Sequence, residues 1–186
     1  MGIKAGAASR IFQKSLGSPA LGGVADVLAA VTDDGTEQTI TTGFTQPPTP
    51  RTVSASSAGT AGDIKAIQVT VNGLDENGGV ISEVLPIFTV NTATTVQGAK
   101  VFASITSFVI PAHDGNGATT SLGLGDILGL GFVHPRDTVL RTFFNGVKEG
   151  TDAAVTFNST DVESNTIDLN SALDGSEVLV DYYKPA

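Results

Sequence analysis

The chain has no cysteine, so disulfides, thiolate chemistry and cysteine-based zinc sites are excluded from the start. That absence suits assembly in a reducing cytoplasm. Tryptophan is missing too, and tyrosine occurs only at Tyr182 and Tyr183. A carbohydrate cleft lined by aromatic rings is therefore poorly supplied. Basic residues are scarce: ten Lys and Arg stand against nineteen Asp and Glu, a net charge of −9, and no window gathers the cations into a patch. Direct nucleic-acid binding, which relies on clustered cations displacing phosphate counterions, is disfavoured, and so is an anionic membrane surface. Charged residues of both signs make up only 16 % of the chain, against about 25 % in an average globular domain. That leaves more neutral surface for packing against partners. Long apolar runs are absent as well. The most apolar early stretch, Ala20 to Val31, contains Asp26 and is far shorter than the roughly twenty residues a bilayer requires. No basic leader runs directly into an apolar stretch with a cleavage site, so no secretory signal is expected.

What the chain does have is glycine, small polar residues and alternation. Ile67, Val69 and Val71 fall on one face of a period-two pattern, with Gln68 and Thr70 on the other. The rhythm returns over Val80–Leu85 and over Val101–Ile110. Between these runs lie Asn72-Gly73, Asn77-Gly78-Gly79 and Asp114-Gly115-Asn116-Gly117, residue types that reach the positive φ of tight turns at little cost. The pattern predicts strands at Thr36–Thr42, Thr52–Ser56, Ile64–Asn72, Val80–Pro86, Thr94–Val96, Lys100–Ile110 and Ala118–Leu122. It predicts more at Val139–Phe144, Val147–Glu149, Ala154–Phe157, Thr166–Leu169 and Glu177–Tyr183, with hairpin turns at Asn145-Gly146 and Asp174-Gly175. The fold class that follows is all-β: antiparallel sandwich or barrel units with an extended N-terminal arm.

Three segments are expected. Residues 1–36 differ from the rest and read as the arm, with two or three helical turns between Ala7 and Leu16 before Gly17, Ser18 and Pro19 stop them. So short a helix is not stable alone. Ile11, Phe12 and Leu16 need somewhere to be buried, which marks them as partner-binding residues, and removal of the arm is expected to leave the β core folded. The stiff Gln46-Pro47-Pro48-Thr49-Pro50 connector leads into a core domain over residues 37–131. A smaller β unit over residues 132–186 begins after the glycine-rich Gly123 to Gly131.

Candidate chemistry is thin. His113 and His134 each sit beside a proline in a turn, and no second histidine stands at metal-binding spacing. Asp114-Gly115-Asn116-Gly117 has a faint calcium-loop flavour, but the twelfth position is Gly125, where an EF-hand carries glutamate. Gly123-Leu124-Gly125-Asp126-Ile127-Leu128 places leucine where a dinucleotide loop has its third glycine. Carboxylate pairs at Asp33-Asp34 and Asp75-Glu76 lie in expected turns. No catalytic, cofactor or metal site is assigned, and an enzyme is not expected.

Longer phrases carry a resemblance. Pro50-Arg51-Thr52-Val53-Ser54-Ala55, Ala61-Gly62-Asp63-Ile64-Lys65-Ala66-Ile67-Gln68-Val69-Thr70-Val71, Thr89-Val90-Asn91-Thr92 and Ile110-Pro111-Ala112-His113-Asp114-Gly115 resemble structural proteins of tailed bacteriophages, as does Thr160 to Gly175. The resemblance covers roughly residues 31 to 183 and assigns no residue-level role. It implies a virion structural protein assembled in the bacterial host cytoplasm. Within a virion, the favoured position is a capsid decoration (cement) protein on the outer head surface. Its implied partners are the major capsid protein and other copies of itself, with trimers at local threefold axes suiting the role. The alternatives are a tail component, such as a tube or tail-surface protein, and a displayed receptor- or glycan-binding module.

Overall fold

The computed structural model describes residues 10–183. Its strands, in chain order, are β1 (Ile11–Ser15), β2 (Leu28–Thr32), β3 (Gln38–Ile40), β4 (Arg51–Gly59), β5 (Thr70–Leu74), β6 (Val80–Val84) and β7 (Thr94–Gln97). They continue as β8 (Ser104–Ile110), β9 (Ala118–Gly129), β10 (Val139–Phe144), β11 (Val147–Lys148), β12 (Ala154–Thr156), β13 (Thr166–Asp168) and β14 (Val178–Tyr183). The only helical pieces among the described residues are two single 3-10 turns, Ala61–Asp63 and Val162–Ser164. The all-β antiparallel class read from the sequence is the class observed.

Three sheets enclose two cores. One sheet has the order β3-β8-β5-β6, and the second runs β12-β13-β9-β4-β7 with β2 alongside β9. Their inner faces meet in the first core. Val53, Ala55 and Leu122 come from the second sheet, and Val71, Ile81, Ile105, Phe108 and Ile110 from the first. The third sheet, β1-β14-β10-β11, contributes Val178 and Val180 to the second core, where they pack with Leu128, Leu130 and Ile167. The long strand β9 serves both, with Leu122 in one core and Leu128 in the other. The two units read from the sequence therefore share a strand.

Most expected strands lie within a few residues of their observed positions. Two differences matter. First, the glycine-rich stretch after Leu122 is not a loop between units but the second half of β9. Its glycines are there because other parts of the chain cross at contact distance. A Cβ on Gly123 would lie 2.2 Å from the carbonyl oxygen of Gly23, and one on Gly125 would lie 2.2 Å from Thr52 Oγ1. Glycine in a strand marks close approach as often as a break.

Second, the helix expected between Ala7 and Leu16 is a strand over Ile11–Ser15, and residues 7–9 lie outside the described residues. β1 pairs antiparallel with β14, from Ile11 opposite Tyr183 to Ser15 opposite Leu179. Tertiary pairing overrides the weak local helical preference. β2 is likewise hydrogen-bonded to β9. Leu16, Val27 and Leu28 are buried in the two cores. The part of the arm that is described is thus built into the sheets, which argues against the β core folding without it.

Candidate interaction surface

The sequence singled out Ile11, Phe12 and Leu16 for partner contact, and the structure separates them. Ile11 and Phe12 lie on β1, an edge strand, and remain 62 % and 37 % exposed. The Phe12 ring stacks on Tyr182 at 5.6 Å, Tyr182 stacks on Phe132 at 4.2 Å, and Phe132 meets His134 at 4.1 Å. Leu16 faces the other way. At 6 % exposure it belongs to the second core, so its apolar surface is already covered within the chain.

Both histidines are held inside the fold. The His113 backbone N–H donates to Asp33 Oδ1 at 2.9 Å, and its Nδ1 accepts the Lys65 N–H at 3.1 Å. An accepting Nδ1 places the proton of the neutral ring on Nε2, which then donates to Thr120 Oγ1 at 2.9 Å. The ring packs beside Phe88. Burial lowers its pKa, opposed by Asp33 and Asp114. The His134 backbone N–H donates to Asn165 Oδ1, Nδ1 is bonded to Thr138 Oγ1, and Nε2 is buried without a hydrogen-bond partner. Thr120 and Thr138 are themselves buried, so neither hydroxyl meets solvent.

Burial holds the His134 pKa at about 4, with Asp137 pulling the other way. The unfolded chain titrates near 6.5 and so takes up the proton first as the pH drops. The His134 contribution is therefore fully present above about pH 6.5 and lost as the pH falls toward 4, a change of about 3 kcal/mol. The expected result is a stability that drops across this window and drops less in His134→Gln. Urea titrations at pH 7 and pH 4.5 measure the difference, and parallel curves for the two proteins would contradict the assignment.

The Asp114 loop is a turn closed by its neighbours. Asp63 Oδ2 accepts the Gly117 N–H at 3.0 Å, and the Asp114 carboxylate pairs with Lys65 at 3.3 Å. Among the described residues, no group of three or more histidines and carboxylates is placed to hold a metal ion. The acids of the Asp75-Glu76 turn are also engaged. Asp75 accepts the N–H groups of Asn77 and Gly79, and Glu76 pairs with Lys14 at 2.6 Å.

One polar residue that the sequence gave no reason to single out lies at the waist between the cores. Arg51 is 1 % exposed, and its guanidinium donates in three directions. Nε donates to Gly125 O at 2.6 Å, Nη1 to Ala20 O at 3.0 Å, and Nη2 to Asp126 Oδ1 at 3.2 Å. It pins the segment around Ala20 against β9. A single arginine opening an otherwise uncharged strand was the available signal.

A neutral surface lies on the outer face of the sheet β3-β8-β5-β6. Strand pairing sets Val80, Leu74 and Ser104 in one row, Ser82, Asn72 and Ser107 in the next, and Val84, Thr70 and Val109 in a third. None of these nine side chains is charged. Asn72 and Ser107 are bonded to each other at 2.9 Å, while Val80 is 86 % and Val84 58 % exposed. An apolar and hydroxyl-bearing face on so acidic a chain is a surface suited to contact with another protein.

No family model matches the chain, and neither does any curated protein or any solved structure.

Proposed function

We propose that this chain is a structural component of a tailed-phage virion, a capsid decoration protein that lies on the head and bridges neighbouring major capsid subunits. The observation that carries the reading is where the fold spends its chemistry. Its buried polar groups (Arg51, His113, Asp33 and Asn165) tie strands and loops together, whereas exposed apolar groups lie on a sheet face (Val80 and Val84), on the edge strand β1 (Ile11 and Phe12) and in surface loops such as those of Ile87 and Val90. Such a molecule offers surface for assembly, and among the described residues we find no nucleophile set beside a base, so we read it as a non-enzyme. The resemblance of the longer phrases to phage structural proteins suggests the setting. On a shell of repeated subunits, many modest contacts add through multivalency, so no single contact need be strong. The partners are the major capsid protein and further copies of this chain.

Immunogold labelling of intact virions, with an antibody raised against the chain, tests the reading. Gold spread over the head is the expected result. Gold confined to the tail would replace it with a tail component, and unlabelled particles would remove the protein from the virion.

A further inference from the structure

We infer that β6 is a self-association edge, at which two copies of the chain pair antiparallel about a twofold axis through Ser82. The inference stands on strand geometry and does not depend on the virion reading. β6 is a terminal strand of its sheet. The Leu85 N–H donates to Val69 O at 2.9 Å, which makes residues 69 and 85 a hydrogen-bonded pair. Alternation then turns the backbone N–H and C=O of Ile81 and Glu83 toward β5, and those of Val80, Ser82 and Val84 toward the open side. These are also the positions whose side chains lie on the uncharged outer face.

Edge strands are commonly guarded by a charge, a proline or a bulge. β6 has one charged residue, Glu83, and its carboxylate is turned inward, accepting the backbone N–H groups of Ala99 at 2.6 Å and Lys100 at 3.2 Å. The register with β5 is unbroken from Val80 to Val84. Proline appears only at Pro86, the next position with an outward register, where the missing N–H would end a ladder. The edge is therefore open over Val80–Val84 and closed beyond it.

A second copy of the chain is the occupant that fits. The open positions read Val-Ser-Val, a pattern that maps onto itself when reversed. Pairing about Ser82 sets Val80 against Val84 of the other copy on both flanks and Ser82 against Ser82 at the centre, each as a hydrogen-bonded pair. Two valine–valine contacts and about six backbone hydrogen bonds result. Charge does not bar this choice at β6. Two molecules of net charge −9 repel across most approaches, and this face lets them meet without opposing carboxylates. The product is one continuous eight-stranded sheet, made by strand addition.

The absence of native cysteine makes the register directly testable. In the pair, the two Ser82 Cα atoms would stand about 5.5 Å apart, within the roughly 4.4–6.8 Å that a disulfide spans. The two Val80 Cα atoms would be about 13 Å apart along the strands, beyond reach. Mild oxidation is expected to link Ser82→Cys to itself, to leave Val80→Cys and Val84→Cys unlinked when each is alone, and to link the latter two when mixed. An unlinked Ser82→Cys, or Val80→Cys that links to itself equally well, would overturn the register. Sedimentation equilibrium of the unaltered protein checks the association itself, with dimer expected at micromolar to millimolar concentration. Ser82→Glu sets two carboxylates across the axis and should raise the dimer dissociation constant at least about tenfold. A protein that stays monomeric throughout, or a folded Ser82→Glu variant that dimerises as tightly, would exclude the edge. If Ser82→Glu fails to fold, the cysteine series decides alone.

Discussion

A chain shortened to residues 37–186 should fail to fold. Deleting the first 36 residues removes β1 and β2 and takes Leu16, Val27 and Leu28 out of the two cores. Each buried aliphatic side chain contributes about 1.5–3 kcal/mol, so the three alone represent about 6 kcal/mol. Domains of this size are stable by about 5–15 kcal/mol in total. The deletion also strips one edge from β14 and part of an edge from β9, leaving backbone groups without partners at strands whose inner faces are apolar. Far-UV circular dichroism and thermal unfolding of the purified fragment measure the outcome. A cooperative transition near that of the full chain would mean that the sheets close without these strands.

Replacing Arg51 with alanine should cost about 3–5 kcal/mol, among the largest effects of any single substitution in the chain. The Gly125 carbonyl would lose its donor in a buried position, the Ala20 carbonyl would lose its tie to the waist, and the volume of the side chain would be left unfilled. The ion pair with Asp126 is the lesser part of the interaction, because that carboxylate is half exposed and screened. Asp126→Asn keeps an oxygen for both Arg51 and the Gly22 N–H and should cost under about 1 kcal/mol. Burial depresses the Arg51 pKa without threatening its charge, since the starting value is so high. Arg51→Lys should recover little, because one ammonium cannot serve three acceptors placed around a planar fork. Guanidinium denaturation of the three variants ranks them, and equal losses for Arg51→Ala and Asp126→Asn would show that the ion pair, not the carbonyl contacts, dominates.

The strands of the middle and C-terminal regions were legible because alternation and turn residues agree there. Asn145 and Gly146 both take positive φ, at 52° and 74°, as a two-residue hairpin demands. β1 was not legible, since Ile11-Phe12-Gln13-Lys14-Ser15 alternates poorly and becomes a strand only when β14, at the other end of the sequence, lies beside it. The second half of β9 was hidden for a different reason: glycine reads as a break unless one knows that other parts of the chain pass over it. The surface was half legible. The alternation of Val80, Ser82 and Val84 was visible, but which face is outward and which edge is unpaired depends on sheet order, which a single sequence does not encode. Leu16 shows the converse error. An apolar residue in an irregular leader suggested a partner, and its partner proved to be the chain's own second core.

The pairing of β1 with β14 also sets a schedule for biosynthesis. β14 lies between β1 and β10, so β1 has no neighbouring strand until β14 has been made. The first core can assemble as soon as β9 emerges, whereas the third sheet must wait for β14. A nascent protein stalled before Val178 would carry Leu16 without Val178 and Val180, and Phe12 without Tyr182, next to a finished sandwich. Synthesis of β14 is thus a condition for burying Leu16, and chains cut short before it would be the ones exposed to proteases and aggregation.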